Sequence, residues 1–250
     1  MLGTGYGECR IKKKTSKDYR KRGGVIIDER LLIDAPEDIF EVAEELGYTD
    51  LFNKVSDVVI SHSHTGHFSR TSIERLAQKR SIRVFASRAV LSSLVGIENT
   101  ELIEISTFTQ FSAGKYSVAV VPSNHFTDDP TEDVFNFLIL GEKNLFYALD
   151  GGWINTKTWN ALKQLQLDAV IMDTALDTMP PSEKNLYHND IHTVAKIKAI
   201  MDSAKITNEK TRFILSHIPS SKKRQIHDEL SPIASEYGLS LAYDGYFASI

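Results

Sequence analysis

The stretch Ser61-His62-Ser63-His64-Thr65-Gly66-His67 places three histidines within six residues, directly after the apolar run Asp57-Val58-Val59-Ile60. A tight turn at the end of a buried strand can direct several side chains toward one point. Neutral imidazole is a common ligand for zinc and similar ions. A lone histidine is more often a core or surface residue, and an incidental polar loop is the alternative here. Three of the chain's eight histidines in one turn nevertheless favour a metal site.

The composition of the 250-residue chain is that of an ordinary globular protein, with 42% hydrophobic and 25% charged residues. A net charge of -4 argues against bulk binding to a nucleic-acid backbone. The basic segment 10–22 holds eight Lys or Arg, and we interpret it as a solvated loop, with nucleic-acid contact as the alternative. Cys9 is the only cysteine, so no intrachain disulfide can form, which is compatible with the cytoplasm. No signal-peptide pattern and no run of about 18 apolar residues is present, so we expect no membrane span.

Apolar runs and helical patterns alternate along the chain. Strands are predicted at residues 24–28, 31–34, 57–60, 82–86, 102–105, 116–121, 134–140, 145–149, 169–172, 213–215, 239–242 and 246–248. Helices are predicted at residues 37–46, 71–79, 88–94, 155–166, 191–204 and 222–237. Strand-rich blocks with interleaved helices in both halves predict an α/β fold of two sheets with helices outside, in a single domain spanning residues 1–250.

The histidine turn resembles the His-x-His-x-Asp-His motif of the metallo-β-lactamase superfamily, with Gly66 in place of the aspartate. The resemblance continues through His125, Asp150 and His217, each at the end of an apolar strand. It implies an αββα sandwich, in which two mixed sheets pack face to face with helices outside. It also implies one or two divalent ions per chain, Zn or Mn. The implied ligands are His62, His64, His125 and Asp150 for the first ion, and His67, His217 and Asp150 for the second.

Gly66 removes an anionic ligand that the family supplies to the second ion, so the resemblance implies weaker metal binding there. Three interpretations stay open. The protein works with one tightly held metal, it is a natural variant whose activity is lost or changed, or Gly66 is an engineered change that inactivates it. The otherwise intact ligand set favours a recently altered active enzyme over a long-degenerate one.

The opening Leu2-Gly3-Thr4-Gly5 resembles the start of the branch that holds tRNA 3′-processing endonucleases and cyclic-phosphate phosphodiesterases. That branch carries a further histidine just before a helix, which His188 matches, with Asn189 as a candidate helix cap. The resemblance implies that His188 contacts phosphate or protonates the leaving oxygen, with Asp173 as its acidic partner. We interpret His192, four residues later, as structural.

The closing Leu241-Ala242-Tyr243-Asp244-Gly245 resembles the end of the phosphoribosyl cyclic-phosphate phosphodiesterases. Their cysteine-rich metal site has no counterpart in a chain whose only cysteine is Cys9. The long exosite arm of the tRNA-processing enzymes has no obvious counterpart either. The resemblance therefore leaves the natural substrate within this branch undecided.

Together these resemblances predict a metal-dependent hydrolase that cleaves a small phosphodiester, cyclic ones included, through a metal-activated water. A metallo-hydrolase of a thioester, lactone or β-lactam is one alternative. A non-catalytic metal-dependent binding protein, which Gly66 favours, is another, and a globular domain without metal is a third. Nucleic acid is not favoured as a partner, and a homodimer stays open because members of the family are often dimers.

Overall fold

The computed structural model describes residues 1–6, 9, 11–180, 182–219 and 226–250. Its strands are β1 (Gly5–Tyr6), β2 (Val25–Ile27), β3 (Leu31–Ile33), β4 (Asp57–Val59), β5 (Ile82–Ala86), β6 (Thr100–Glu104), β7 (Gln110–Ala113), β8 (Tyr116–Pro122), β9 (Phe135–Leu140), β10 (Leu145–Ala148), β11 (Ala169–Asp173), β12 (Arg212–Ser216), β13 (Ile218–Pro219) and β14 (Leu239–Leu241). Its α-helices are α1 (Ile39–Glu45), α2 (Arg70–Lys79), α3 (Arg88–Ser92), α4 (Thr156–Leu162), α5 (Ile191–Ser203) and α6 (Ile226–Glu236), and short 3-10 helices span Leu51–Asn53 and Glu183–Leu186. Among these described helices, none has the length and apolar character needed to cross a bilayer.

The strands form two large mixed sheets and one small one. The first sheet has the order β2-β3-β4-β5-β6, in which β2 is antiparallel to β3 and the remaining neighbours are parallel. The second has the order β14-β12-β11-β10-β9-β8-β7, parallel from β14 to β10 and antiparallel from β10 to β7. The short strands β1 and β13 pair in parallel and join the start of the chain to the segment after β12. The two predicted mixed sheets are therefore confirmed.

Each large sheet is covered by apolar side chains on both faces, as alternation along a strand requires. In β4, Val58 packs with helices α1 to α3, whereas its neighbour Val59 packs between the sheets. In β11, Val170 packs with helices α4 to α6, whereas Ile171 packs between the sheets. The layers are helices, sheet, sheet and helices, which confirms the predicted face-to-face packing with helices outside.

The basic segment 10–22 differs from the expected solvated loop. Arg20 is completely buried, and its guanidinium donates to Thr4 Oγ1 at 3.0 Å and to His227 Nδ1 at 3.0 Å. Arg22 pairs with Asp38 beside α1, with Nη2 to Oδ1 at 2.9 Å. The prediction of a solvated loop is wrong for Arg20, because its side chain is buried between Thr4 near the start of the chain and His227 in α6. Arg10 lies outside the described residues.

Several predicted boundaries also differ from the structure. Residues 246–248 form no strand, because the chain turns where Gly245 N donates to the carbonyl of Met1 and Tyr246 N donates to that of Tyr243. The predicted helix 155–166 ends as α4 at Leu162, and for helix 222–237 the residues before Ile226 lie outside the described part of the chain. Strand β7 was missed because Gln110 and Ser112 give it a half-polar pattern typical of a solvated edge.

Candidate metal centre

The predicted site residues lie where strands of both sheets end. His62, His125 and His217 follow β4, β8 and β12, Asp150 follows β10, and Asp173 is the last residue of β11. Because β10, β11 and β12 are parallel neighbours, their carboxyl ends meet at one edge of the second sheet. The end of β4 in the first sheet faces this edge, as the contacts below show. The structure thus brings together side chains that are up to 155 residues apart in sequence.

Three residues of this region adopt left-handed backbone conformations, with φ of 61° at Asp34, 51° at Asp150 and 56° at His217. This region of backbone space is unfavourable for side chains with a Cβ, although aspartate tolerates it better than most residues. Such strain persists only where the surrounding structure enforces it, and it clusters at functional sites. Asp34, Asp150 and His217 each lie just after a strand, and their side chains contact one another or His67 in the cluster.

Asp150 is the centre of the cluster. It is buried, and its Oδ1 lies 2.9 Å from His217 Nε2 while its Oδ2 lies 3.1 Å from His67 Nε2. The same Oδ2 lies 3.6 Å from His62 Nε2 and 3.5 Å from His125 Nε2. One carboxylate therefore faces imidazoles from three separate strand ends, which suits a residue shared between two ions.

Among the described residues, three groups of possible ligand atoms share Asp150, and in each group all of them lie within 4.8 Å of one another. The third group contains Asp150, Asp173 and His188, and the other two correspond to the implied ligand sets. The first group contains His62, His64, His125 and Asp150, and the second contains His67, His217 and Asp150. In the first group, His64 Nδ1 lies 3.1 Å from His62 Nε2 and 3.2 Å from His125 Nε2. The structure thus brings together the residues of each ligand set that the resemblance implies, and their coordination of a metal stays a prediction.

Three of the imidazoles use their other nitrogen for a contact that points away from the cluster. These contacts are His62 Nδ1 to Ser61 Oγ at 3.0 Å, His67 Nδ1 to Asp34 Oδ2 at 2.8 Å, and His125 Nδ1 to the carbonyl oxygen of Tyr187 at 3.2 Å. Outer partners of this kind set the orientation and tautomer of metal-binding histidines. They leave Nε2 of each ring directed at Asp150.

The pKa values of the clustered histidines shift in opposite directions: those of His62 and His125 fall, whereas that of His67 rises. Burial lowers the pKa of His62 well below its usual value and lowers that of His125 to about 4, although Asp150 opposes both shifts. Burial also opposes charge on His67, but the carboxylates of Asp150 and Asp34 outweigh it and raise its pKa to about 10. Burial would raise the pKa of Asp150, yet His217 and His67 hold it well below its usual value. The cluster therefore favours positive charge beside Asp150.

The donor set fits one or two divalent ions. Among the described residues, the buried atoms His67 Nε2, His217 Nε2 and Asp150 Oδ1 make no hydrogen bond of acceptable geometry despite their short separations. Buried polar atoms without a partner are rare and costly in folded proteins. His62 Nε2 and His64 Nδ1 lie 3.1 Å apart, close enough for both nitrogens to bind one ion when the rings are neutral. A mixed imidazole and carboxylate set suits Zn or Mn.

Asp34 holds the histidine turn in place through contacts with Ser61 and His67. Sequence reasoning treated it only as a strand residue. It is buried at the end of β3, where its Oδ1 accepts from Ser61 N at 2.8 Å. Its Oδ2 contacts His67 Nδ1 and accepts from the hydroxyl of Tyr147 at 2.7 Å. The sequence pattern could have identified Asp34 as a site residue, because it is an acidic residue at the end of an apolar strand, as Asp150 is.

We expect Tyr147→Phe to lower the free energy of unfolding by about 2 kcal/mol, because a buried hydrogen bond to a charged group is lost. Tyr147 is buried, and phenylalanine has the same ring without the hydroxyl, so the substitution removes only the hydrogen bond to Asp34. The matched control is Tyr116→Phe, whose hydroxyl donates to Asp28 at the exposed surface and whose loss should cost under about 1 kcal/mol. Urea denaturation measures both changes in the free energy of unfolding. Equal changes in the two variants would show that the buried hydrogen bond from Tyr147 to Asp34 stabilises the protein no more than the exposed one does.

His188 also contacts Asp150, through the carboxylate oxygen Oδ1 that His217 contacts. Its Nδ1 is 3.6 Å from Asp150 Oδ1 and 3.5 Å from Asp173 Oδ2, which are ion-pair distances rather than short hydrogen bonds. Burial acts to lower the pKa of His188, but contact with Asp173 and the charge of Asp150 outweigh it, and the pKa is raised. The structure thus places His188 between two carboxylates at the edge of the cluster.

Asn189 is not the cap of α5, which corrects the sequence-based interpretation. The cap is Asp190, whose Oδ1 accepts from the backbone N–H groups of His192 and Thr193 at 2.8 and 3.0 Å. Asn189 instead donates from both its backbone and its side chain to Asp173, each at 2.8 Å. The buried carboxylate of Asp173 needs these donors, so Asn189 is held toward the site. His192 is exposed and its Nδ1 lies 3.4 Å from the hydroxyl of Tyr237, away from the cluster.

Gly66 faces open space beside the second group. A Cβ added at this position would meet a single atom within 4 Å, Cε1 of His217 at 3.8 Å, which is ordinary contact. The backbone of Gly66 is outside the left-handed region, so a side chain there is not strained. The space that the family fills with aspartate therefore remains beside His217.

The family profile described as "Beta-lactamase superfamily domain" matches residues 29–218, which include every residue of the two ligand groups. No curated protein matches the chain. Several solved structures resemble it in fold at low sequence identity.

The metallo-beta-lactamase fold protein YhfI from Bacillus subtilis is 14% identical, with a TM-score of 0.72 over 98% of this chain and 97% of that chain. Zn(2+)-bound PqqB from Methylobacterium extorquens is 16% identical, with a TM-score of 0.72 over 100% of this chain and 98% of that chain. The short form of human tRNase Z is 13% identical, with a TM-score of 0.68 over 100% of this chain and 97% of that chain. At these identities the likeness extends to the fold alone.

Proposed function

The chain belongs to the beta-lactamase superfamily, and on this premise we propose that it is a metal-dependent hydrolase whose substrate is a small phosphodiester, cyclic ones included. One observation carries the proposal. Five imidazoles, those of His62, His67, His125, His188 and His217, come within 3.6 Å of the carboxylate of Asp150. Such a set of imidazoles around one carboxylate fits one or two divalent ions.

When bound, a divalent ion supplies hydroxide near neutral pH and offsets negative charge on phosphoryl oxygens. The residues that would hold it are His62, His64, His67, His125, Asp150 and His217. Asp34 would keep the ring of His67 in one orientation, because it contacts Nδ1 at 2.8 Å. Four of these side chains, those of His62, His67, Asp150 and His217, are buried, which would limit the access of bulk water to the reacting group.

His188 supplies a proton donor that a phosphodiester substrate would use. With its Nδ1 beside Asp173 and Asp150, its Nε2 is the nitrogen that remains to donate to a phosphoryl oxygen. The same nitrogen would protonate the leaving oxygen as the ester bond breaks. Asp173 acts through His188 as a positioning residue, itself held by the two donors of Asn189. The human tRNase Z, which shares the fold, is consistent with this choice.

The proposal is tested by hydrolysis of a chromogenic phosphodiester with added Mn or Zn. We expect turnover above the metal-only blank, and a fall in kcat of about 100-fold in His188→Ala, because the loss of a general acid typically costs that much. His192→Ala is the matched control, since this exposed histidine lies outside the cluster and its loss should leave kcat unchanged. The phosphodiesterase assignment fails if neither the natural chain nor Gly66→Asp exceeds the blank.

Two other functions stay as alternatives. A hydrolase of a thioester, lactone or β-lactam would use the same metal ligands, and parallel assays with these esters separate it from a phosphodiesterase. A non-catalytic metal-dependent binding protein is favoured by one observation, the open space at Gly66 where the family has a metal-binding aspartate. A bound ligand that survives purification, together with no activity in Gly66→Asp, would support that alternative.

A further inference from the structure

Large apolar side chains are exposed around the candidate metal centre. Phe126 is 61% exposed and Tyr6 is 45% exposed. The ring of Phe126 contacts that of His125, and the ring of Tyr6 contacts that of His188. A folded protein gains nothing by leaving such rings in water, and contiguous exposed apolar surface marks a binding site. These residues have no role in holding a metal, so the ligand sets do not explain their position.

We name these side chains the aromatic rim and define it as Tyr6, Phe126 and Tyr187; the rings of Phe126 and Tyr187 contact each other, and those of Tyr187 and Tyr6 both contact His188. The ring of Phe126 stacks beside that of His125, with centroids 5.8 Å apart and an interplanar angle of 21°. It meets the ring of Tyr187 edge-on at 5.0 Å, and Tyr187 in turn lies 5.6 Å from His188. The ring of Tyr6 also contacts His188, with centroids 5.3 Å apart.

Distant segments of the chain hold the rim in place. Tyr187 precedes His188, and its carbonyl oxygen contacts His125 Nδ1 at 3.2 Å. Tyr6 is in β1, which pairs with β13 directly after His217, and its ring lies 4.9 Å from that of His217. The rim is therefore fixed relative to the metal ligands rather than being a loose surface patch.

From this arrangement we infer that the aromatic rim binds a planar aromatic ring attached to the substrate's phosphate, with a nucleobase as the favoured ring. This inference rests on the proposed function, because it requires the phosphate to lie at the metal centre. Phe126 is the next residue after the candidate ligand His125, so a base joined to the phosphate through one sugar can reach its face. Stacking on an aromatic side chain tolerates any base, because every base has a π-face. Phe126 is then a specificity-determining residue for nucleoside phosphodiesters.

The test measures binding of two phosphates to the Mn-loaded full chain by calorimetry. Adenosine 5′-monophosphate carries a base, whereas ribose 5-phosphate presents the same sugar phosphate without one. We expect adenosine monophosphate to bind about 10-fold more tightly, since stacking of one base on an aromatic residue gives an advantage of this order. In Phe126→Leu, which keeps an apolar side chain but removes the ring, we expect that advantage to fall to under about 2-fold.

The matched control is Phe108→Leu, because Phe108 is similarly exposed at 55% and belongs to none of the ring contacts of the rim. It should keep the full preference for adenosine monophosphate. Equal affinity of the natural chain for the two phosphates would overturn this inference and leave the proposed function standing. Failure of both phosphates to bind would also overturn this inference, whereas the proposed function is decided separately by hydrolysis of the chromogenic phosphodiester. Phenyl phosphate identifies the ring: affinity equal to that of adenosine monophosphate supports recognition of any aromatic ring, and weaker affinity supports a nucleobase.

Discussion

Asp150→Asn is expected to lower the affinity for Mn or Zn by more than about 100-fold and to remove any metal-dependent hydrolysis. Changes in groups that only orient metal ligands already cost 10- to 100-fold, and Asp150 is itself the shared carboxylate of both ligand groups. Asparagine keeps the shape of the side chain but loses the charge, and its amide nitrogen cannot bind a metal. Metal content after dialysis and titration with Mn measure the change.

The same substitution should destabilise the protein without metal by about 3 kcal/mol, because buried imidazoles lose the carboxylate that faces them. Asparagine tolerates left-handed backbone, so the φ of 51° at position 150 adds no new strain. Asp28→Asn is the matched control, since Asp28 is exposed and has a φ of 47°. It should change neither metal content nor stability by a comparable amount. Full metal occupancy in Asp150→Asn would rule out the shared role of Asp150.

Gly66→Asp is expected to strengthen binding of the second ion by about 100-fold, so that the chain carries two ions at metal concentrations where it otherwise carries one. The position is open, with only His217 Cε1 at 3.8 Å from an added Cβ, so the carboxylate can reach the second group without displacing backbone. Calorimetric titration with Mn gives the stoichiometry directly. We also expect hydrolysis of the chromogenic phosphodiester to rise, because an added anion would help hold the second ion.

Two controls separate the carboxylate from the mere presence of a side chain. Gly66→Ala fills part of the space and reduces the freedom of the unfolded chain, so it should stabilise the protein by about 0.5 kcal/mol without changing metal stoichiometry. Gly66→Asn adds a neutral side chain of the same shape as aspartate and should leave the second site weak. If Gly66→Asp binds no more metal than Gly66→Asn, the weak second site has another cause.

The glycine also affects how the other results are interpreted. His62, His64, His125 and Asp150 form a complete group without position 66. A single ion held there would be enough for the Asp150→Asn experiment to give a clear loss. Activity in the natural chain, together with a gain in Gly66→Asp, would identify a working enzyme with a weakened second site. Activity only in Gly66→Asp would identify a centre that the glycine has disabled.

The elements of the fold and the histidine turn could be predicted from residue patterns alone. The alternation of Val58 and Val59, or of Val170 and Ile171, is a property of neighbouring residues, and burial on both faces follows from it. The spacing of His62, His64 and His67 likewise needed no tertiary information to suggest a metal site. Edges and ends were less predictable, because β7 is half polar and the segment 246–248 turns back on Met1 through backbone contacts.

The sequence by itself determined most strands and helices and the candidate ligands, because periodicity and ligand type are properties of residues close together in the chain. Only the tertiary structure showed that Asp34 anchors His67, that Asn189 faces Asp173 rather than the helix, and that Arg20 is buried. It alone also placed Phe126 and Tyr6 around one centre and left open space at Gly66. These features depend on which strand ends meet, and that is decided by the pairing and packing of two sheets over distances in sequence that no local pattern records.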